Sequence, residues 1–288
     1  WDGIRNKLSP QSKLLYAEGC SIECKSDEKF AEAVETAKSA DAVIISVGER
    51  WNESGEAKSR SNIGLPGMQE DLIKAVVATG KPVVVLINAG RPLVFNWTAD
   101  NAPAILYTWW LGSEAGNAIA DVIFGDYNPS GKLPMTFPRS EGQIPIYYNH
   151  FNTGRPAQND RDRNYRSAYL DLPISPKFEF GYGLSYTTFL YDALKLSDTK
   201  MRADGRIEVL LAVKNTGKFA GEEVVQLYIR DRVASVVRPV KELRDFTKIA
   251  LAPGETKWIK FVIDREKLSF FNEKLQWIAE PGTFELMI

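Results

Sequence analysis

Three glutamates, Glu49, Glu53 and Glu56, fall within one stretch, GERWNESGEAKSRSNIGLPG from Gly48 to Gly67, among Arg50, Lys58, Arg60 and Trp51. Such a set joins carboxyls able to give and take protons with cations that bind or orient them, and with one indole face. The stretch follows the apolar run AVIISV and precedes a helical pattern opening at Pro66. It reads as a strand-to-helix connection in which Gly48, Gly55 and Gly64 let the backbone bend. Open α/β sheets bind ligands at the carboxyl ends of their strands, which is where this connection begins. The plain alternative is a solvated surface loop. Against it stand the length, because connections beyond about 12 residues are usually functional or disordered, and the tryptophan, which disfavours disorder.

Scarce residues remove other chemistries. Cys20, Cys24 and His150 are the only cysteines and histidine among 288 residues. That leaves no ligand set for a structural zinc, and no G-x-S-x-G elbow accompanies His150. No G-x-G-x-x-G follows a strand and no G-x-x-x-x-G-K-[ST] occurs, so nucleotide phosphates lack their usual cradle. Neither a metal nor a cofactor is expected. A bridge between Cys20 and Cys24 would close a very short, geometrically demanding loop, and two free thiols are the favoured reading. Thirty-six basic against 37 acidic residues, with no Lys/Arg block, point away from nucleic acid and anionic membranes. The apolar runs, such as Val83 to Ile87, are strand-length, far below the roughly 18 residues a membrane helix requires. An apolar fraction of 44% suits a soluble chain with packed cores in two domains. Trp1 is not an initiator methionine, so a leader or larger region before it is compatible with the sequence.

The elements that must hold the loop are legible on both sides of it. Ile4 to Leu8 read as the end of a helix, and KLLYAEG as a short strand entering a turn at Gly19. Phe30, Ala33, Val34 and Ala37 repeat at helical spacing after Ser26, a candidate N-cap. Asp41 to Gly48 and PVVVLINAG read as parallel strands covered on both faces, and Ala104 to Trp110 as a third of the same kind. Between them Met68, Leu72, Ala75 and Val76 form a helix face ended by Gly80, and Leu93 to Ala99 a short helix; Ala115 to Ile123 forms another helix, stopped by Gly125. Alternating strands and helices imply a parallel α/β sheet. Tyr127 to Pro138 is dense in Pro and Gly and is expected to lead into one more strand. From Gly142 to Tyr182 the periodicity disappears, as in a surface excursion. Beyond Tyr186 apolar residues alternate at period two, as at Ile207, Val209, Leu211 and Val213, with turns at NTGKFAG, APGE and EPGT. An immunoglobulin-like sandwich follows, with Trp258 and Trp277 expected in core or interdomain packing.

SGEAKSRSNIGLPG, FGDYNPSGKLPMTFP, YYNHFNTGRP and FEFGYGLSYTTF, in that order, resemble the second domain of glycoside hydrolase family 3 and its lead into the third. The likeness is to three-domain bacterial β-glucosidases and covers essentially the whole chain, whose end resembles their fibronectin type III-like domain. The family's architecture is a (β/α)8 barrel, an α/β sandwich and a β-sandwich. The resemblance therefore implies that the barrel, and the first strand of the α/β domain, are not in this chain. It implies retaining hydrolysis of β-glycosides by a barrel aspartate as nucleophile and a second-domain glutamate as acid/base, which the motif places at Glu56. Glu49, directly after the strand, is the alternative as the acid or as a loop anchor, and Glu53 is less favoured. Arg60 is a candidate to bind the sugar, to hold Glu56, or simply to pair with a nearby carboxylate. Trp51, Trp109 and Trp110 offer faces for a pyranose, but the latter two end a buried strand and at least one belongs to the core. The sequon Asn52-Glu53-Ser54 lies beside the proposed acid, which favours a bacterial source or an unused site.

The expected organisation is an N-terminally incomplete α/β domain over 1–150, a surface excursion and linker over 151–185, and a fibronectin type III-like domain over 186–288. The expected function is the acid/base-bearing C-terminal portion of an exo-acting β-glucosidase, inactive alone; a non-catalytic carbohydrate-binding or scaffolding module is the alternative. Expected partners are a β-linked glucoside or oligosaccharide, the barrel portion and, as an open alternative, a second copy of the chain. By resemblance the location is periplasmic or secreted.

Overall fold

Unbroken runs of β-branched residues build the centre of the first half of the chain. The computed structural model describes residues 1–288. After a short helix α1 (Asp2–Lys7) and the amphipathic α2 (Phe30–Lys38), strand β1 (Val43–Gly48) enters a parallel sheet. Helix α3 (Gln69–Val77) returns the chain to β2 (Val83–Asn88), and α4 (Asn96–Asn101) to β3 (Ala104–Tyr107), giving the order β1-β2-β3. A parallel sheet needs such crossovers, and its central strand must be covered on both faces. On β2, Val83, Val85, Leu86 and Ile87 are accordingly buried, each contributing roughly 1.5–3 kcal/mol. Helix α5 (Ala115–Phe124) ends at Gly125 in the left-handed conformation that glycine adopts without strain, and packs against α1.

The second half is antiparallel. Strands β4 (Phe189–Tyr191) and β5 (Lys195–Leu196) pair with β6 (Ile207–Asn215), which is flanked along its length by β9 (Thr256–Ile263). Strand β7 (Gly221–Asp231) lies between β8 (Glu242–Leu251) and β12 (Phe284–Met287). Helix α6 (Arg265–Leu268) and the small pair β10 (Phe270–Phe271) and β11 (Trp277–Ile278) fill the interval before β12. Period-two alternation puts Val209, Leu211 and Val213 from β6 and Val225, Leu227 and Ile229 from β7 into one core with Leu251, Ile259, Phe261 and Ile263. The architecture is a parallel α/β domain followed by an antiparallel β-sandwich. By contacts the chain forms two compact units. One comprises Trp1–Asp126, Phe137–Pro145 and Pro176–Phe178, and the other Tyr127–Thr136, Ile146–Ser175 and Glu179–Ile288. No helix is long and apolar enough to cross a membrane.

Several local expectations are corrected. Cys20 and Cys24 form a disulfide, because Cys24 takes a positive φ of 45° that turns the short loop back on itself. KLLYAEG pairs with no strand, and Tyr127 to Pro138 yields only an isolated bridge between Phe137 and Phe178. Helix α2 starts at Phe30, four residues after the Ser26 candidate, with Lys29 at its N-cap. Strand β3 is an edge strand with no fully buried residue rather than a strand covered on both faces. Trp258 and Trp277 are not core residues: they are 61% and 41% exposed, and the Lys195 ammonium lies over the Trp258 ring.

Candidate active site

The carboxyl end of β1 is a tight junction. Gly48 has φ 135°, and a Cβ there would stand 1.9 Å from the carbonyl oxygen of Asn88, so a side chain would separate β1 from β2. Gln69, buried at the start of α3, closes the junction: its Oε1 accepts from Gly48 N (2.8 Å) while its Nε2 donates to the carbonyls of Gly48 (3.0 Å) and Ile22 (2.7 Å). At the other end of the loop, Val94 N donates to Ile63 O (2.9 Å).

Between these ends the three glutamates part company. The Glu49 side chain is fully buried, and its Oε1 accepts a hydrogen bond from Arg60 Nη1 at 2.7 Å. Arg91 Nε lies 2.9 Å from the same oxygen, at ion-pair distance but without hydrogen-bond alignment. Removing one member of such a buried set costs about 3–5 kcal/mol, since the remaining charge is left uncompensated. Glu53 turns back on its own loop, accepting from Arg50 N at 2.6 Å. Glu56 is exposed and makes neither hydrogen bond nor ion pair. It stands between Gly55 at φ 121° and Ala57 at φ 57°. A left-handed alanine is uncommon and costs of order 1 kcal/mol, and such strain gathers at functional sites.

The other expected site residues are placed as follows. Trp51 is 82% exposed and stacks on no other ring. Arg60 pairs with Glu49 and donates to Gly64 O (3.1 Å), so it does not hold Glu56. Trp109 packs edge-on against Tyr107 and Phe137, while Trp110 is 44% exposed. The loop sits against Gly90, where a Cβ would meet Ser54 Oγ at 2.2 Å and Trp110 Nε1 at 2.4 Å.

Arg91 went unnoticed in the sequence. Its Nη2 donates to the carbonyl oxygens of Glu53 and, at 2.8 Å, Lys58. Its own carbonyl accepts from the Tyr107 hydroxyl, which in turn accepts from Leu93 N at 3.3 Å. The signal available was position: Arg91 follows the carboxyl end of β2 just as Glu49 follows that of β1.

Burial pushes the Tyr107 phenol well above the ordinary tyrosine range, against a smaller lowering by Leu93 N–H and with a further rise from the Glu49 charge. A folded value above the unfolded one, about 10, means that this stability is fully present below pH about 10 and is lost as pH rises beyond it. Denaturation curves taken from pH 8 upward should show a flatter alkaline loss for Tyr107→Phe than for the unaltered chain. Identical slopes would show that Tyr107 does not carry the effect.

A free carboxyl on an anchored loop at the end of a parallel sheet is an arrangement suited to a hydrolase that works by proton transfer. The chain matches the glycosyl hydrolase family 3 C-terminal domain over residues 1–186 and a fibronectin type III-like domain over residues 223–288. It belongs to glycosyl hydrolase family 3. It is 47% identical to a periplasmic β-glucosidase of Salmonella typhimurium, with 99% of this chain and 40% of that protein covered. It is 45% identical to a β-xylosidase of Formosa agariphila, with 100% and 39% covered. The crystal structure of a β-glucosidase from Listeria innocua in complex with isofagomine superposes with a TM-score of 0.91 at 38% identity, covering 99% of this chain and 39% of that one. The chain thus spans about two-fifths of the length of these relatives.

Proposed function

We propose that this chain is the acid/base-bearing portion of a retaining, exo-acting β-glycosidase whose substrates are β-glucosides, and that Glu56 is the acid/base. The observation that carries this reading is the contrast between the carboxyls: Glu49 is buried under two arginines, whereas Glu56 is exposed, unpaired and set between two residues of positive φ. A proton donor must reach the glycosidic oxygen, which a sealed carboxylate cannot do.

In the first step Glu56 gives its proton to the leaving oxygen while a carboxylate on the opposite face of the sugar, about 5–5.5 Å away, attacks the anomeric carbon. The C–O bond breaks, the aglycone departs as an alcohol, and a glycosyl-enzyme forms. In the second step the Glu56 carboxylate takes a proton from water as that water attacks, which restores both carboxyls. The nucleophile lies outside this chain, on the barrel that the family resemblance implies. Trp51 supplies an apolar face for the sugar or aglycone, and Arg60 offers its remaining N–H groups to a sugar hydroxyl. A periplasmic or secreted location is supported by the Cys20–Cys24 disulfide, which persists in oxidising compartments.

Proton NMR of an aryl β-glucoside hydrolysed by the full-length protein tests the reaction class. The β-anomer of glucose should appear first. Initial release of the α-anomer would exclude retention, and absence of hydrolysis would favour the non-catalytic carbohydrate-binding or scaffolding module.

A further inference from the structure

Resting on the assignment of Glu56, we infer that Arg91 is a positioning residue for catalysis, a clip that holds the acid/base in line with the glycosidic oxygen. The segment 53–58 carries Glu56 near its middle, and both of its ends are fastened by the same nitrogen: Arg91 Nη2 donates to Glu53 O and Lys58 O. Within the segment a further bond, Lys58 N to Gly55 O at 3.2 Å, tightens the turn. The guanidinium is itself fixed, with Nε beside the buried Glu49 and its backbone carbonyl tied to the Tyr107 hydroxyl. Tyr107 is packed among Phe95, Trp109 and Phe137, so the clip is mounted on the aromatic core under the sheet end and not on the loop it restrains. Arg60, by contrast, binds Glu49 and Gly64 O and makes no hydrogen bond or ion pair to residues 53–58.

The chemistry explains why an arginine stands here. One planar fork meets a carboxylate and two carbonyls at once, which a lysine ammonium on its flexible stem cannot do in fixed directions. The left-handed Ala57 next to Glu56 relaxes unless the ends of the segment are held. Proton transfer tolerates little error in the donor's position, and a displacement of about 1 Å costs about 100-fold in rate.

The test compares Arg91→Lys and Arg91→Ala with Glu56→Ala in the full-length protein, on β-glucosides whose leaving groups run from dinitrophenol to simple alcohols. With Arg91→Lys, kcat/KM on the alkyl glucosides should fall about 100-fold while kcat/KM on dinitrophenyl glucoside, which reports formation of the glycosyl-enzyme without protonation, changes less than about threefold. Added guanidinium should restore part of the alkyl rate in Arg91→Ala. Equal losses across the series, or failure of both variants to fold, would assign Arg91 to structure alone and overturn the inference. The Glu56→Ala control separates the two readings: if it discriminates between leaving groups and Arg91→Lys does not, only the clip falls. If Glu56→Ala itself does not discriminate, the acid/base assignment falls with it.

Discussion

Glu56→Ala in the full-length protein is expected to slow hydrolysis of alkyl β-glucosides by roughly 10²–10⁴-fold while leaving formation of the glycosyl-enzyme from dinitrophenyl glucoside largely intact. A poor leaving group departs as an alkoxide unless it is protonated as its bond breaks, whereas dinitrophenolate leaves unaided. The second step then loses its base, because the carboxyl that deprotonates water is the same one. With the activated substrate the covalent intermediate should therefore accumulate, visible as a burst of phenol followed by a slow steady state and as a mass increase of one hexosyl unit. Glu49→Ala should behave differently, since Glu49 is buried between Arg60 and Arg91. Its loss strands two cations and should lower stability and every substrate's rate together. A Glu56→Ala enzyme with proportionate losses on good and poor leaving groups, and no burst, would reduce Glu56 to a loop carboxylate.

The chain of residues 1–288 alone should not turn over aryl β-glucosides. Protonating the leaving oxygen without a nucleophile on the opposite face leaves most of the barrier standing, and the covalent route that divides one hard step into two is closed. Strand β1 pairs only with β2, so its other edge has no strand partner within these residues. Adding the remaining portion of the protein should restore turnover with a dependence on its concentration. Hydrolysis by the chain alone at the full-length rate, surviving rigorous removal of host glycosidases, would place a nucleophile within these residues.

The repeating elements were readable because they obey a period. PVVVLINAG announced the central strand and Val209, Leu211 and Val213 the inward face of the sandwich, since burial on one or both faces leaves its mark along the chain. Trp258 broke that rule in the other direction. It lies on the outward face of β9 beside Lys195, and an isolated aromatic type does not state which face it occupies. The loop motif picked out its three glutamates, yet their distinction was a matter of burial: Glu49 is sealed by arginines, one of them 42 residues away in Arg91. A lone arginine after a strand carries no periodic signal, and the contacts it makes with Glu53 and Lys58 exist only once β1 and β2 lie side by side. The Cys20–Cys24 bridge escaped for a similar reason, as it depends on a positive φ at Cys24 that no residue type dictates.

Azide rescue tests the assignment of Glu56 most directly. A small anion that needs no base can enter the space left by the deleted carboxyl and attack the glycosyl-enzyme on the face where water normally arrives. The full-length Glu56→Ala protein, given dinitrophenyl β-glucoside and azide, should regain steady-state turnover and release β-glucosyl azide, while Glu49→Ala under the same conditions yields glucose alone. Formation of the azide by Glu49→Ala and not by Glu56→Ala would contradict the assignment and move the acid/base to the buried carboxylate.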